Sequence, residues 1–271
     1  MVYKDLENKA AEIRIKCLED TVRAGKGHLG GCYSCVELLV SLYYSNFLKV
    51  NAENPKDPER DFFFLGKGHA CLALYPILND LGFLSNERYL EYGKNGSSIG
   101  GQLDLSIPGV ENNTGSLGHA LGLAAGVAYA AKKSKRASKA VALLGDAECD
   151  EGAIWEAIIF AAEHSLDNLY CIVDRNRLSV TSVIESSVIF DNFVSKMNLF
   201  GWHCVEIDGH NYGSILDALK HAKPMKKPTI ILANTIKGKG VSFMEGVTKW
   251  HHSVPSEKEV EIAYEELGLK R

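Results

Sequence analysis

Polar side chains follow two short apolar runs and could together hold a metal ion beside a phosphorylated ligand. Asp146 follows the run at 140–144, and Asn176 follows the run at 169–173. If both runs are parallel strands, their carboxyl ends meet at the edge of the sheet where ligands bind in open α/β folds. A carboxylate and an amide oxygen from adjacent loops suit Mg²⁺ or Ca²⁺, and Mg²⁺ usually completes its coordination with phosphates and water.

Two further features of these loops fit a phosphate site, and each has a structural alternative. A helix beginning near Glu151 could direct its free N–H groups at phosphates, but Asp146 could equally serve only to cap that helix. A third apolar run, at 229–233, leads to Lys237 and Lys239. These lysines could bind an anion or lie in a solvated loop, and spacing alone leaves the alternatives open.

The elements that would position these residues alternate along the chain as β-rich runs and helical segments. This alternation is typical of βαβ units and of a mainly parallel sheet with helices on both faces. We predict strands at 62–65, 140–144, 169–173, 203–207 and 229–233, and helices at 5–24, about 34–46, directly after His69, 150–164, 191–199 and 213–223. Since no repeat or linker is visible, we predict one α/β domain over 1–271 with a short tail at 250–271.

Composition excludes several other classes of protein. The 271 residues are 46% hydrophobic and 24% charged, which is ordinary for a globular protein and unlike a disordered or coiled-coil chain. The net charge of −4 argues against nucleic-acid binding, which needs a basic face, and the cationic run at 132–139 is predicted to be a solvated loop. Because the charged N-terminus lacks the apolar core of a signal peptide, we expect a cytoplasmic protein.

Two short motifs match known functional patterns in the wrong context. Gly25-x-Gly27-x-x-Gly30 has the letters of the dinucleotide-binding fingerprint, but it follows a charged amphipathic helix rather than a strand. Cys32 and Cys35 have the spacing of a redox or zinc pair without a second pair. We therefore predict neither a dinucleotide site nor a zinc site, and we expect the cysteines to be buried free thiols.

Glycines recur every fourth residue at Gly118, Gly122 and Gly126. This spacing aligns them on one face of a helix, where each costs about 0.8–1 kcal/mol relative to alanine. We therefore predict that another backbone packs closely against this face, either in the core or at a subunit interface.

The pair Gly145-Asp146, with Asn176 thirty positions after the aspartate, resembles the thiamine diphosphate motif, in which GDG precedes an asparagine by about thirty residues. The similarity covers nearly the whole chain, which resembles the N-terminal half of a transketolase and, by its length, the small N-terminal subunit of a split transketolase. The other matching segments are Gly25-Lys-Gly-His-Leu-Gly-Gly31, Leu65-Gly-Lys-Gly-His-Ala70, Pro108-Gly-Val-Glu-Asn-Asn-Thr-Gly-Ser-Leu-Gly-His119, Val205-Glu-Ile-Asp-Gly-His210 and Thr235-Ile-Lys-Gly-Lys-Gly-Val241.

The resemblance implies the thiamine-diphosphate-binding fold and a set of cofactor ligands. Asp146, Asn176 and the backbone carbonyl of Leu178 would hold the divalent cation, which would be Mg²⁺ with Ca²⁺ or Mn²⁺ as alternatives. Gly145 belongs to the same motif, and the backbone N–H of Ala147 would face the diphosphate of thiamine diphosphate.

Three histidines and a glycine loop complete the implied site. His69 and His251 would hydrogen-bond the diphosphate, with His251 also near the reacting carbon, and His28 would lie beside the substrate hydroxyls. Histidine suits proton transfer because its pKa lies near neutral pH. Gly115 and Leu117 would flank the rings of the cofactor. The remaining histidines His119, His164 and His221 are expected to be structural.

Three positions depart from the family pattern, and a fourth is expected to lie at an interface with another subunit. Gln102 stands where transketolases usually have a histidine that contacts the donor sugar, and glutamine can hydrogen-bond but cannot relay a proton. Ala147 replaces the second glycine of GDG, which its backbone tolerates unless φ is positive. His252 replaces a usual glycine, and Glu151 would join an acidic network at a dimer interface.

The implied activity is transfer of a two-carbon ketol unit from a ketose or ketose phosphate to an aldose. A separate pyrimidine-binding subunit would be required, in a two-plus-two heterotetramer. Two alternatives remain open: the α-subunit of a 2-oxo acid dehydrogenase, which shares the cofactor motif, and a non-catalytic scaffold subunit.

Overall fold

The computed structural model describes residues 3–179, 188–222 and 225–268. Within these ranges, five strands form one parallel sheet in the order β1-β2-β3-β5-β4. The strands are β1 Phe62–Leu65, β2 Ala140–Gly145, β3 Leu169–Arg175, β4 His203–Asp208 and β5 Thr229–Asn234. All five predicted strands are confirmed, and the last four run one or two residues beyond their apolar runs.

The longer strands bring polar residues into the sheet itself. Gly145 pairs with Asp174, and Asp174 pairs in turn with Ala233. Backbone pairing continues past the last apolar side chain because it does not depend on side-chain polarity. Asp174, which the apolar run alone places in a loop, is therefore a fully buried strand residue.

The helices pack on both faces of the sheet, as predicted. They are α1 Tyr3–Ala24, α2 Leu29–Tyr33, α3 Val36–Tyr44, α4 Cys71–Asp80, α5 Asn86–Tyr89, α6 Ala120–Lys133, α7 Gly152–Glu163, α8 Phe193–Leu199, α9 Tyr212–Ala222 and α10 Glu257–Glu266. Short 3-10 helices occur at Gly68–Ala70, Ala147–Asp150 and Thr248–His251. The predicted helices are present with shifted ends, whereas α2, α5 and α10 were not predicted. Residue 223 lies outside the described residues.

Each strand contributes to two separate cores because successive side chains point to opposite faces of the sheet. Val141 and Leu143 of β2 join the core formed with α1, α3, α4 and α9. Ala142 and Leu144 join the core formed with α6, α7 and α8. Burial on both faces explains why these strands are continuous apolar runs in the sequence.

Helix α2 lies where the sequence indicated only a glycine cluster. A Cβ on Gly31 would lie 2.9 Å from His69 Nε2, and a Cβ on Gly30 would lie 2.9 Å from the carbonyl oxygen of Trp250. The glycines are therefore required by close packing rather than by a nucleotide. The fingerprint-like motif indeed begins after helix α1 and not after a strand, which agrees with its rejection as a dinucleotide site.

Three smaller expectations can be compared with the structure. All seven cysteines are buried and free, as predicted. The run at 132–139 is only partly a loop, because Lys132 and Lys133 form the last turn of α6 and Lys132 Nζ donates to Asp167 at 2.8 Å. The segment predicted as a tail contains α10, which begins at a capping box and buries Val260 and Ala263; residues 269–271 lie outside the described ranges. No helix of the described chain is long and apolar enough to cross a membrane.

Candidate functional site

Asp146 and the Asn176 loop lie side by side at the carboxyl end of the sheet. Asp146 is 3% exposed, and its two carboxylate oxygens accept hydrogen bonds from the backbone amides of Ala147 at 2.8 Å and Arg177 at 2.6 Å. Asn176 Oδ1 accepts from Leu178 N at 3.1 Å. One cavity is lined by Asp146, Asn176 and Leu178, so the three residues predicted to hold a cation share one space.

The electrostatics around Asp146 favour a cation next to its carboxylate. Burial and the nearby charge of Asp174 raise the pKa of Asp146 to about 6, so the carboxylate is in an environment that disfavours its negative charge. In the part of the chain that is described, no group of three His, Cys, Asp or Glu side chains is arranged to hold a metal. A divalent ion here would therefore depend on the amide of Asn176, a backbone carbonyl and oxygens of a ligand, which is the mixed oxygen set that Mg²⁺ accepts.

Asp146 does not cap α7. Its side chain accepts from the first amide of the 3-10 helix Ala147–Asp150, whereas α7 begins at Gly152 after Glu151 in extended conformation. Asp146 is therefore an N-cap, as the structural alternative predicted, but of the 3-10 helix Ala147–Asp150 and not of the helix beginning near Glu151. Ala147 lies in this helical turn and is not among the residues with positive φ, which explains why alanine is tolerated there.

Three predicted histidines form one cluster beside the cation site. The ring centroids of His28, His69 and His251 lie 5.1–5.5 Å apart, and His252 lies 4.8 Å from His28. The loops that carry them meet because α2, the turn after β1 and the 3-10 helix Thr248–His251 pack together.

These histidines are held in the neutral form. Burial is the main cause that lowers the pKa of His28 and of His251 to about 4, and positive charge on Lys237 lowers both further. Burial and Lys67 lower the pKa of His69 well below its usual value. His28 Nδ1 is buried without a hydrogen-bond partner among the described atoms. Such an orphaned polar atom indicates a ligand at this point.

Lys237 is a cavity residue, whereas the sequence left its role open. It is 2% exposed, and its Nζ lies 3.0 Å from Ser179 O and 3.2 Å from His251 Nδ1. Burial and the charge of Lys67 lower the pKa of Lys237 to about 8. Lys239, two residues on, lies instead in an ion pair of 3.2 Å with Glu245. The loop 235–240, hereafter the β5 loop, thus turns one lysine inward and one outward.

A buried ion pair, whose lysine lies in the cavity wall, was missed by the sequence analysis. Lys67 Nζ donates to Asp174 Oδ2 and to Ser34 Oγ, with both charged side chains at most 2% exposed. Ser34 Oγ donates to Asp174 Oδ2 at 2.6 Å, and the Thr235 hydroxyl donates to Asp174 Oδ1. Although burial lowers the pKa of Lys67, the charge of Asp174 raises it overall. The only signals in the sequence were a lysine in a glycine turn and an aspartate ending an apolar run.

Glu148 is a second missed residue, and it joins three loops of the site. Its two oxygens accept from Gly118 N at 3.0 Å and Gly145 N at 3.2 Å. A Cβ on Gly66 would overlap the same carboxylate. Burial raises the pKa of Glu148 to about 7. The local sequence Gly145-Asp146-Ala147-Glu148 does not indicate this role, because Gly66 and Gly118 are distant from Glu148 in sequence.

The remaining predicted residues border the cavity. Leu117 lines it and is 36% exposed, and Gly115 has φ +132°, a conformation that favours glycine. Gln102 Oε1 accepts from Thr114 Oγ1 at 2.9 Å and lies against the turn at Gly68, next to His69. Of the predicted residues, the cavity wall itself includes His69, Leu117, Gly145, Asp146, Ala147, Asn176, Leu178 and His251.

The arrangement can bind an anion and a cation together and can exchange protons at neutral histidines. Comparisons with known proteins agree with this chemistry. Residues 6–271 match the family described as "Transketolase, thiamine diphosphate binding domain".

Two curated relatives are similar over almost their full length. A subunit of the apulose-4-phosphate transketolase of Phocaeicola vulgatus is 38% identical over 269 residues, covering 99% of this chain and 95% of that protein. The "6-deoxy-6-sulfo-D-fructose transketolase subunit SqwG" of a Clostridium species is 37% identical, covering 97% and 96%. The crystal structure of transketolase from Campylobacter jejuni superposes with a TM-score of 0.92 at 31% identity, covering 100% of this chain and 44% of that chain. The chain thus spans less than half the length of that transketolase.

Proposed function

The chain belongs to the transketolase family as a thiamine-diphosphate-binding domain, and from that premise we propose that it is the N-terminal subunit of a two-chain transketolase. The enzyme would transfer a two-carbon ketol unit from a ketose or ketose phosphate to an aldose. The observation that carries the proposal is the cavity in which Asp146 and Asn176 lie with Lys237, His69 and His251, next to the ring of His28. We further propose that residues 1–271 form one diphosphate-binding domain.

The side chains fit thiamine diphosphate and its metal. Asp146, Asn176 and the carbonyl of Leu178 would hold Mg²⁺, with Ca²⁺ or Mn²⁺ as alternatives. Lys237, His69, His251 and the amide of Ala147 would bind the diphosphate, and Leu117 and Gly115 would flank the rings. When bound, the cofactor supplies an electron sink for cleavage of the carbon–carbon bond next to a ketose carbonyl.

The histidines of the chain would hold and move protons. Because the Lys237 ammonium can only donate, His251 Nδ1 accepts its hydrogen bond and the ring proton resides on Nε2. His28, whose ring adjoins those of His69 and His251, would exchange a proton with a substrate hydroxyl. Gln102, beside the turn that carries His69, would orient the donor sugar by hydrogen bonds without relaying a proton.

Buried positive charge gives the cavity its affinity for the diphosphate. Lys237 and Lys67 both lie in the wall of the cavity with little exposure, and a charge-assisted bond to phosphate is stronger there than in water. The Asp146 carboxylate, whose negative charge this environment disfavours, would gain from the divalent ion. Cation and diphosphate would therefore bind cooperatively.

A partner chain is proposed because the relatives of matching length are named as transketolase subunits. We propose a C-terminal pyrimidine-binding transketolase subunit in a two-plus-two heterotetramer. The exposed glycine face of α6 is a suitable contact surface: Gly122 and Gly126 have nothing within 4 Å of an added Cβ, and Leu123 beside them is 46% exposed. The close backbone approach expected for this face does not occur within the described chain. Gly118, predicted to share this helix face, instead precedes α6 with φ +89° and packs against Glu151, 2.6 Å from an added Cβ. We propose that Glu151 joins an acidic network at the dimer interface.

The two alternatives are less well supported. The two curated relatives described above are named as transketolase subunits and not as 2-oxo acid dehydrogenases. A scaffold subunit would have no need to keep Asp146, Asn176, His69 and His251 around one cavity. The substrates in the names of the relatives, apulose 4-phosphate and 6-deoxy-6-sulfo-D-fructose, agree with a donor class of ketose derivatives.

The seven cysteines are all free. Because free thiols persist in a reducing compartment, we propose a cytoplasmic setting.

Calorimetric titration of the two-chain complex with thiamine diphosphate and Mg²⁺ tests the proposal. Binding should be lost in Asp146→Ala, because the cation loses its only carboxylate ligand. Asp150→Ala is the matched control, since this aspartate is exposed at the other end of the same 3-10 helix, and it should bind as wild type. Equal binding by wild type and Asp146→Ala would refute the metal assignment.

A further inference from the structure

The motif Asp208-Gly209-His210 lies at the end of β4, outside the cavity, and none of the roles above uses it. Its backbone nevertheless packs against the start of the β5 loop. Gly209 N donates to Asn234 O at 2.8 Å, and a Cβ on Gly209 would overlap Thr235 Cγ2. Asp208 Oδ1 accepts from His210 N at 2.9 Å. The aspartate and the glycine therefore set the backbone from which the histidine reaches the loop.

His210 makes a hydrogen bond that defines its tautomer. Its Nε2 lies 2.8 Å from Ile236 N. A backbone amide can only donate, so Nε2 must carry the acceptor lone pair and the ring proton is on Nδ1. That proton is donated to Glu37 Oε2 at 3.0 Å. Ile236 is 38% exposed, and this hydrogen bond acts together with the backbone bonds from Thr235 N to Arg175 O at 3.1 Å and from Gly246 N to Lys237 O at 2.9 Å that also hold the loop.

Glu37 is held ionised for this task by Arg14. Burial raises the pKa of Glu37, but the charge of Arg14 and the hydrogen bonds from His210 and Arg14 outweigh it and lower the pKa to about 2. Arg14 Nη2 donates to Glu37 Oε2 at 2.7 Å. The arginine also packs beside the far end of the β5 loop, since a Cβ on Gly240 would lie 3.5 Å from Arg14 Cδ. The arginine therefore lies next to the far end of the loop, while Glu37 acts at its start through His210.

We propose that His210 is a positioning residue for cofactor binding: its neutral ring, held by Glu37, fixes the Ile236 amide and so places the adjacent Lys237 Nζ in the cavity. Lys237 is the residue of the loop that contacts His251 and the Ser179 carbonyl. A shift of Ile236 would move this ammonium away from the diphosphate without removing any cavity group. The consequence for the cofactor rests on the proposed function, whereas the hydrogen bond to Ile236 does not.

Two amide variants test the roles of the two ring nitrogens of His210 independently. In His210→Gln, the amide oxygen can occupy the position of Nε2 and accept from Ile236 N. In His210→Asn, the shorter side chain reaches only the position of Nδ1 and Glu37, so the Ile236 amide loses its acceptor. His221→Asn is the control, because this exposed histidine on α9 bonds to Asp217 O in its own helix.

Hydrogen exchange and cofactor titration should be measured on the two-chain complex. For His210→Asn we expect exchange of the Ile236 amide to rise about tenfold, and the half-saturating thiamine diphosphate concentration to rise about tenfold with kcat at saturation changed less than about twofold. Tenfold corresponds to about 1.4 kcal/mol, the scale of one lost hydrogen bond. His210→Gln should stay within about threefold of wild type in both measurements.

The outcomes distinguish this inference from the proposed function. The inference fails if His210→Asn exchanges and binds as wild type, or if Gln and Asn weaken binding equally, because the acceptor at Nε2 would then not matter. If wild type shows no saturable thiamine diphosphate binding while the Ile236 amide still exchanges faster only in His210→Asn, the proposed function fails and the positioning of the loop stands.

Discussion

Lys237→Gln is the perturbation whose consequences the cavity defines most closely. Glutamine keeps the approximate length of the chain and a hydrogen-bonding end but removes the charge. A hydrogen bond to a charged group contributes about 1.5–3 kcal/mol, and each 1.4 kcal/mol is about tenfold in affinity. We therefore expect thiamine diphosphate to bind about 10- to 100-fold more weakly to the variant complex.

The pH dependence of this affinity follows from the lowered pKa of Lys237. Without the cofactor the lysine titrates near pH 8, and a bound diphosphate raises that pKa because it stabilises the ammonium. Affinity in wild type should therefore fall between pH 8 and the higher pKa of the bound state, by about tenfold per pH unit. Lys237→Gln should have no such slope above pH 8.

As pH rises, the free energy of unfolding should change in the opposite direction from the affinity for thiamine diphosphate. The folded pKa of Lys237 is below the unfolded value of 10.5, so the buried charge destabilises the fold below that range, and stability from this group rises as pH increases from about 8 to 10.5. Removing the charge should leave the melting temperature of the cofactor-free chain at pH 7.5 equal to or above wild type. A lysine with a purely structural role would instead lower it.

Titration calorimetry at pH 7.5, 8.5 and 9.5, with melting curves of the cofactor-free chain, measures both effects. Lys239→Gln is the matched control, since this lysine belongs to the same loop but pairs with Glu245 outside the cavity, and it should bind thiamine diphosphate within about twofold of wild type. The reasoning is refuted if the two glutamine variants bind alike, or if the slope above pH 8 persists in Lys237→Gln.

Three other substitutions test the groups around the cavity. Lys67→Met should lower the free energy of unfolding in urea by about 3–5 kcal/mol, because it leaves the Asp174 carboxylate buried and unpaired. Adding Asp174→Asn should recover part of this loss. An unchanged urea midpoint in Lys67→Met would contradict the ion pair. Glu148→Gln should lower stability by about 1–3 kcal/mol, since its amide cannot accept from both Gly118 and Gly145; thermal unfolding measures this. Gln102→His should redistribute turnover across a panel of ketose donors with cofactor affinity unchanged, and an unaltered panel would remove Gln102 from the specificity site.

Most of the sheet could be predicted from the sequence because each central strand is buried on both faces and is therefore a continuous apolar run. The strand ends could not, because backbone pairing carries Asp174 into the sheet beyond the last apolar residue. Helix α2 was missed for a related reason: its glycines are poor helix formers and are kept by contacts with His69 and Trp250, which lie far away in sequence.

The site was predictable where its residues belong to short local patterns. Asp146, Asn176, His28 and His69 each stand beside a glycine or after an apolar run, whereas His251 follows Trp250 and was placed in the site by the family resemblance. Asp146 and Asn176 meet because parallel strands share one carboxyl edge. The Lys67–Asp174 pair, Glu148 and the inward turn of Lys237 depend on contacts between distant segments. A lysine in a glycine-rich loop has the same local pattern whether it points to solvent or into a cavity, so only the packed structure separates Lys237 from Lys239.

An experimental structure of the two-chain complex with thiamine diphosphate and Mg²⁺ is the most direct test of the account. The predicted result is one metal bound by Asp146, Asn176 and the Leu178 carbonyl, with the diphosphate between that metal and Lys237. Density for the diphosphate at any other place, with Asp146 still bonded only to the amides of Ala147 and Arg177, would contradict it.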